Sequence, residues 1–242
     1  MEAAGNDPFM ASPAIVQGTG RFPAAMVVVL GYLAVVTTLV LSGLLLTHVL
    51  VDGPVGHWDD TSTRWLALHR TSGFDGLTAV LSRSADTLGI IGAAVVVLGV
   101  LWRRRRLPQM ALLVTALVLE LSAFLAVNAL VARDRPAVPR LGSTPSTNSF
   151  PSGHTAATLV LYAVIALCAS ATVRSAVWRA LAWLAAVVMP IAVGFSRVYR
   201  GFHHPTDVFF GLALGLGALL VAFVAVRTWA PAPAPAREEM YQ

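Results

Sequence analysis

Long apolar runs constrain the fold of this chain more than any other feature. Of its 242 residues, 57% are hydrophobic and only 12% are charged. A helix needs about 20 consecutive apolar residues to cross the hydrocarbon core of a membrane. Six runs are near or above that length, at residues 24–51, 87–102, 107–131, 152–173, 177–195 and 206–229. We therefore predict an all-α, polytopic bundle of six transmembrane helices.

The stretches outside these runs complete the predicted organisation. Residues 1–22 are polar and aperiodic, and we predict a disordered N-terminal tail. Residues 23–229 hold the six-span domain, and residues 230–242 form a Pro- and Ala-rich C-terminal tail. Residues 52–86 are too polar to cross a membrane but carry recurrent Trp, Leu and Phe. This pattern predicts short amphipathic helices at the membrane interface between the first two spans, where they could cover a site.

Two polar segments between apolar runs are the candidates for chemistry. The first extends from Arg133 to His154 and the second from Ser196 to Asp207. Both gather arginines and histidines, and both lead directly into another apolar run. The two runs that separate them, 152–173 and 177–195, cross the membrane there and back, so both segments emerge on the same face. We therefore predict that they form one phosphate-handling site.

The sequence Pro151-Ser152-Gly153-His154 opens the fourth apolar run. Ser152 is a favourable N-cap, and the free N–H groups of a first helical turn bind anions at the positive end of the helix dipole. Gly153 allows a phosphate to approach the backbone closely. His154 is placed to give a proton to a departing oxygen. A capped helix with an interfacial histidine is the alternative interpretation of these residues alone.

The second segment places His203 four residues before Asp207, at a helix start that suits Pro205. At this spacing the Asp207 carboxylate can hold the Nδ1 proton of His203, which leaves Nε2 as a nucleophile for phosphorus. Arg135 and Arg197 supply planar guanidinium groups that match phosphate oxygens. The alternative for the segment alone is that Asp207 caps the helix and His203 is a polar loop residue.

Three ordered motifs resemble the signatures of the type 2 phosphatidic acid phosphatase superfamily. Ser196-Arg197, His203 and Asp207 fit SRxxxxxHxxxD, residues 151–154 fit PSGH, and Arg135-Pro136 fits the end of KxxxxxxRP. The resemblance covers about residues 24–229. It implies a metal-independent phosphatase that uses no cofactor and forms a phosphohistidine intermediate.

The resemblance also implies roles for individual residues. His203 would be the nucleophile, Asp207 its orienting partner and His154 the acid for the leaving group. The residues implied to bind the phosphate are Arg135, Ser152, Gly153 and Arg197.

The sequence departs from the first signature at Asn128, where the pattern has a lysine. Asn128 can donate hydrogen bonds but carries no positive charge, so it is a weaker candidate for binding phosphate. Arg133, two residues before Arg135, is our candidate to restore the missing charge.

Arginine placement predicts the orientation in the membrane. Arg103–Arg106 occupy a very short loop, which is a strong cytoplasmic marker under the positive-inside rule. Five arginines of the opposite face belong to the two polar segments, where a function explains them. We predict that both termini are cytoplasmic and that the site lies on the extracytoplasmic face of the cell membrane.

Composition also excludes several classes of function. All 17 basic residues are arginines, and they lie in loops rather than along one basic face, which argues against nucleic-acid binding. The single cysteine, Cys168, excludes an internal disulfide. We predict no metal site, because no carboxylate or cysteine stands at metal-ligand spacing around His48, His57 and His69.

The predicted function is hydrolysis of a lipid phosphate or pyrophosphate whose chain stays in the bilayer. An outward-facing site favours undecaprenyl or another polyprenyl pyrophosphate, the carrier lipid of envelope synthesis. Phosphatidate, lysophosphatidate and phosphatidylglycerophosphate stay open as substrates, as does phosphoryl transfer to an acceptor lipid or sugar. A transporter or scaffold that holds an anionic head group without catalysis is the alternative from another class.

Glu120 is a further candidate, because it lies within the third apolar run and intramembrane carboxylates commonly mark function. A polar contact between helices is the alternative for Glu120.

Overall fold

The protein folds into a bundle of α-helices in a computed structural model that describes residues 23–143 and 147–229. Within that part of the chain there are eight helices and no strands: α1 (Ala24–His48), α2 (Pro54–Leu68), α3 (Ser72–Ser84), α4 (Thr87–Arg103), α5 (Leu107–Val131), α6 (Gly153–Thr172), α7 (Ala176–Tyr199) and α8 (Pro205–Trp229). The predicted all-α class is therefore confirmed. The two predicted tails, 1–22 and 230–242, lie outside the described residues.

Six of these helices correspond to the six apolar runs. Helices α1, α5, α6, α7 and α8 are each long and apolar enough to cross a membrane. Helix α4 has 17 residues and meets the same test only together with α3, from which it is bent by 56°. The bundle therefore has five candidate spans, or six when the bent α3–α4 pair counts as one.

The two short helices predicted between the first two spans are α2 and α3. Helix α3 packs against α7, and α2 contacts both α7 and α8. On α2, the buried residues include Asp59 and Thr63, and on α3 they are Thr78 and Ser82. The face that these helices turn to the bundle is therefore polar, which indicates contacts with polar groups of the site.

The predicted end of the fifth span is wrong by four residues. The apolar run ends at Phe195, whereas α7 continues to Tyr199 and its backbone hydrogen bonds extend to the N–H of Arg200. The added turn is polar in sequence but buried in the protein, with Arg197 only 4% exposed. Arg197 thus projects from a helix rather than from a loop. Pro190 lies inside α7, which is one helix.

Helix α6 lies at the centre of the bundle and packs against α4, α5, α7 and α8. Its buried Val160 and Val164 belong to one apolar cluster with Leu112 and Leu113 of α5. A second cluster joins α1, α5 and α8 around Phe150, which is 0% exposed and lies just before α6. These two clusters fix the end of α6 that carries the site.

Two glycines of α8 let it approach α6 closely. A Cβ at Gly211 would lie 2.5 Å from the carbonyl oxygen of Ser152, and one at Gly215 would lie 2.7 Å from that of Ala156. Small residues four apart commonly permit such close packing of membrane helices. The loop before α8 is thereby held beside the first turn of α6.

Candidate active site

The two polar segments meet at one end of the bundle. The N–H of Ser152 donates to the carbonyl of Asp207 over 3.0 Å, and the N–H of Ser149 donates to that of Arg133 over 2.8 Å. Nδ1 of His203 lies 2.7 Å from the carbonyl oxygen of Ser149. These bonds join residues from both segments into one structure.

His203 is held as a neutral imidazole with a defined tautomer. Because the carbonyl of Ser149 only accepts hydrogen bonds, Nδ1 must carry the proton, which leaves the lone pair on Nε2. The pKa of His203 is lowered to about 4, chiefly by burial; Arg197 acts in the same direction as burial, and Asp207 opposes both. The ring is therefore unprotonated near neutral pH, as a nucleophile requires.

The hydrogen bond predicted between Asp207 and His203 is replaced by a different arrangement. Oδ2 of Asp207 is 3.8 Å from Nδ1 of His203, which is too long for a hydrogen bond. The carboxylate instead accepts from Arg133 at 2.6 Å, from the Ser149 hydroxyl at 2.5 Å and from the N–H of His204 at 2.8 Å. Asp207 acts on the His203 ring through its field, while the Ser149 carbonyl sets the tautomer.

Arg133 does not line the site and instead belongs to a buried ion-pair cluster. Its guanidinium donates to Asp207, to Asp59 at 2.8 Å and to the Thr206 hydroxyl at 2.8 Å. Burial lowers the pKa of Arg133, but Asp207 and Asp59 outweigh that effect and raise it overall. Both Nη atoms of Arg133 are therefore bonded inside the protein, and its role as a phosphate ligand in place of the missing lysine stays a prediction.

Asn128 holds the loop before α6. Its side-chain amide donates to the carbonyls of Asn148 and Phe150 at 3.0 and 2.9 Å, and its Oδ1 accepts from the N–H of Asn148 at 3.0 Å. This pattern uses both ends of the amide on the backbone. Asn128 is thus placed to shape the loop, and its place among the phosphate-binding residues stays a prediction.

The Ser152 side chain does not cap the first turn of α6, although the sequence made Ser152 a favourable N-cap. Ser152 occupies the N-cap position, but its hydroxyl pairs with the Thr155 hydroxyl at 3.0 Å and makes no cap hydrogen bond. As in any helix, the N–H groups of the first turn have no intrahelical acceptor. A Cβ at Gly153 would lie 3.1 Å from the Phe124 ring, so any larger residue there would crowd that ring.

The two signature arginines differ in how many donors remain available. The guanidinium of Arg135 donates hydrogen bonds to the carbonyls of Thr147, Asn148 and Phe202. Arg197 donates one Nη to the Ser82 hydroxyl at 2.7 Å and stacks 4.2 Å over the Phe202 ring. Its buried Nε has no hydrogen-bond partner in the described part of the chain. An unpaired buried donor is costly, so Arg197 is the arginine prepared to meet an anion.

His154 is paired with a carboxylate that its motif does not include. Its Nε2 lies 2.9 Å from Oδ1 of Asp86, a residue 68 positions earlier in the chain. Asp86, Asp59 and Ser82 all come from residues 52–86, and sequence reasoning missed all three. The recurrence of polar residues on the buried faces of α2 and α3 was a signal, but spacing alone does not separate Asp59 from its exposed neighbour Asp60.

A cavity of about 490 Å³ connects these groups to the apolar interior between α4, α5 and α6. Its polar end is formed by Arg135, Thr147, Gly153, His154, Arg197 and His203. Its other walls are apolar and include Ile90, Ala94, Leu98, Leu117, Leu121 and Phe124. Glu120 lies in the apolar wall, 4% exposed and without a hydrogen bond to any described residue. The cavity therefore has a polar end, which carries two arginines and two histidines, and an apolar channel.

The cavity separates the predicted site residues into two groups. His154, His203, Gly153, Arg135 and Arg197 line it. Ser152, Asp207, Asn128 and Arg133 lie behind that layer, and the first three of these are 0%, 0% and 5% exposed. The second group supports the first through the hydrogen bonds described above.

Comparison with known proteins shows the family and the fold of the chain. The model of the PAP2 superfamily matches residues 109–231, which is about half of the chain. No curated protein matches the sequence. The crystal structure of the first transmembrane PAP2 type phosphatidylglycerolphosphate phosphatase from Bacillus subtilis is similar with a TM-score of 0.68 and 23% identity, over 77% of this chain and 93% of that one.

A second similar structure is that of Aquifex aeolicus LpxE, with a TM-score of 0.53 and 22% identity, over 66% of this chain and 91% of that one. At these identities the likeness concerns the fold. The family match, the shared fold and the apolar helices together describe a multi-pass membrane protein, and the chain belongs to the PAP2 superfamily.

Proposed function

We propose that this protein is a metal-independent lipid phosphatase that works through a phosphohistidine on His203. The observation that carries the proposal is the cavity, which joins an anion-binding end to an apolar channel. From Thr87 to Leu98 the channel follows α4 over 11 residues, or about 16 Å. A lipid phosphate would fill both parts of the cavity, with its phosphate at the polar end and its hydrocarbon chain in the channel. A small soluble phosphate would fill only the polar end.

The first chemical step is transfer of the phosphoryl group to His203. The lone pair on Nε2 attacks phosphorus, and the bond from phosphorus to the leaving oxygen breaks. The electron pair of that bond stays on the leaving oxygen, which receives a proton from His154. Arg197 and the first-turn N–H groups of α6 stabilise the negative charge on the transferring group.

The second step releases phosphate. A water oxygen attacks the phosphorus of the phosphohistidine and gives a proton to His154, which is now neutral. The phosphorus–nitrogen bond breaks, and its electron pair returns to Nε2 of His203. The enzyme ends in its starting protonation state and needs no cofactor.

The substrate class is a lipid phosphate or pyrophosphate. A polyprenyl pyrophosphate fits an apolar channel, and an outward-facing site would meet it as the carrier lipid of envelope synthesis. Glycerolipid phosphates fit the same channel, and the similar Bacillus subtilis protein is described as a phosphatidylglycerolphosphate phosphatase. We keep polyprenyl pyrophosphate as the leading candidate and the glycerolipid phosphates as its competitors.

Purified protein should release phosphate from at least one long-chain lipid in the presence of EDTA. The panel contains polyprenyl pyrophosphate, phosphatidate, lysophosphatidate and phosphatidylglycerophosphate, with glycerol 3-phosphate as the soluble control. We expect kcat/KM for the best lipid to exceed that for the control by about 10²-fold or more, because the chain contributes binding energy away from the reacting bond. Orthovanadate should inhibit as a mimic of five-coordinate phosphorus.

Four results would contradict the proposal. Equal turnover of the soluble control would remove the lipid specificity, and loss of activity in EDTA would remove metal independence. Lipid binding without phosphate release would support a scaffold or transporter. Appearance of labelled phosphate on an added lipid or sugar acceptor would identify a phosphotransferase.

We also propose that the site faces the extracytoplasmic side. Because Asp86 lies beside His154 at the start of α4, Arg103–Arg106, which begin at the last residue of α4, lie at the opposite end of that helix. Arginine-rich short loops favour the cytoplasm. In a Cys168→Ser background, Gly73→Cys at the site end should react with a membrane-impermeant maleimide in intact cells. Arg104→Cys should react only after permeabilisation, and the reverse pattern would invert the orientation.

A further inference from the structure

Asp86 occupies a position that normally has another use. It is the N-cap residue of α4, and aspartate at an N-cap usually accepts a hydrogen bond from the first helical turn. Here the side chain makes no cap hydrogen bond. Its carboxylate instead lies 2.9 Å from Nε2 of His154 on α6. Asp86 thus bonds to a histidine of the cavity instead of capping the first turn of its own helix.

We propose that Asp86 is a positioning residue for acid–base catalysis by His154, an inference that rests on the proposed phosphatase function. The carboxylate accepts the Nε2 proton and fixes the rotation of the ring. Nδ1 of His154 has no hydrogen-bond partner among residues 23–143 and 147–229. It is the ring nitrogen left to exchange a proton with the leaving oxygen.

The proton balance gives Asp86 a second effect. To act as an acid at Nδ1, His154 must hold protons on both nitrogens, so the ring is positively charged before the first step. The charged and titratable groups that act on it are Asp86 between α3 and α4, Arg197 on α7 and His203 before α8. Burial and the positive charge of Arg197 both disfavour the charged ring. Asp86, whose Oδ1 lies 2.9 Å from Nε2, is the group that favours it.

The same arrangement serves the second step. After His154 has lost its Nδ1 proton, the Nε2 proton still bonded to Asp86 fixes the neutral tautomer with its lone pair on Nδ1. That lone pair takes the proton of the attacking water. Without the carboxylate, the neutral ring can carry its proton on either nitrogen, and only one of these tautomers can act as the base.

The decisive variant is Asp86→Asn, which keeps the shape of the side chain and removes its charge. For a long-chain alkyl phosphate, whose leaving oxygen needs a proton, we expect the single-turnover rate of phosphoryl transfer to His203 to fall by about 10²-fold. For p-nitrophenyl phosphate, whose leaving group departs without a proton, we expect less than about a threefold change in that same rate. The alkaline limb of the rate profile for the alkyl substrate should also move to lower pH.

A double-mutant cycle separates this role from a general structural one. If Asp86 acts through His154, Asp86→Asn should add no further loss in a His154→Ala background. The control is Asp60→Asn on α2, an exposed carboxylate paired with exposed Arg64, which should match the parent on both substrates. Asp86→Glu, which keeps the charge, should recover part of the loss.

Distinct outcomes decide the inference and the function on which it rests. Equal losses on both substrates, or losses that add to those of His154→Ala, would overturn the role of Asp86 while the parent enzyme stays active. Parental rates for Asp86→Asn on the alkyl substrate would overturn it as well. Failure of the parent protein to release phosphate from either substrate would instead contradict the phosphatase proposal.

Discussion

Replacing His203 with alanine should reduce phosphate release by about 10⁴-fold or more. The proposed nucleophile is the Nε2 lone pair of a buried, neutral imidazole whose other nitrogen is fixed by the Ser149 carbonyl. No neighbouring group has the same position and protonation state. The measurement is kcat with the best lipid substrate, together with trapping of a ³²P-labelled, acid-labile phosphohistidine in the parent enzyme.

The matched control is His204→Ala, one position along the chain. The His204 side chain does not line the cavity, although its N–H donates to Asp207. Because alanine keeps that N–H, we expect the variant to retain at least about a tenth of parental kcat. Turnover by His203→Ala near the parental rate, or a labelled phosphohistidine in that variant, would assign the nucleophile elsewhere.

Asp207→Asn should damage both stability and catalysis. The side chain is 0% exposed and shares Arg133 with Asp59. Removing one charge of a buried ion-pair cluster typically costs about 3–5 kcal/mol in the free energy of unfolding. We expect kcat to fall by about 10²- to 10³-fold, because the carboxylate 3.8 Å from Nδ1 stabilises the positive charge that develops on the His203 ring. The tautomer itself should survive, since the Ser149 carbonyl sets it.

Thermal unfolding in detergent and kcat together test this prediction. Ser149→Ala is the matched control, because it removes the hydroxyl that donates to Asp207 and keeps the carbonyl that binds His203. We expect that control to lose less than about tenfold in kcat. Parental stability and turnover in Asp207→Asn would show that the buried charge contributes to neither property.

The helical fold could be predicted because membrane crossing imposes a length and a composition on each span. Helix α5 has the bounds predicted from its apolar run, Leu107–Val131. Helix α7 did not follow the rule at its last turn, where Arg197 is buried by other parts of the site. Apolarity marks contact with lipid, so it cannot mark a helical turn that is polar and enclosed by protein.

The cluster of motif residues could also be predicted, whereas several of their contacts could not. Spacing along a helix start suggested that Asp207 would hold Nδ1 of His203, but a backbone carbonyl from the other segment lies closer. Every residue carries a main-chain carbonyl oxygen, so residue types alone could not indicate this contact. Arg133 has the positive charge that the missing lysine would supply, and it lies in the same loop as Arg135. Its guanidinium, however, bonds to two buried carboxylates. The roles of the cavity residues in catalysis stay predictions.

Helices α2 and α3 have a consequence for engineering chimaeras. Residues 109–231, which the superfamily model matches, contain every signature motif. Yet three of their side chains bond to residues in or just after these two helices: Arg133 to Asp59, Arg197 to Ser82, and His154 to Asp86. A graft of the matched region onto a foreign N-terminal half would therefore lack these three hydrogen-bond partners. Exchange of substrate preference between relatives should succeed only when both portions are transplanted together.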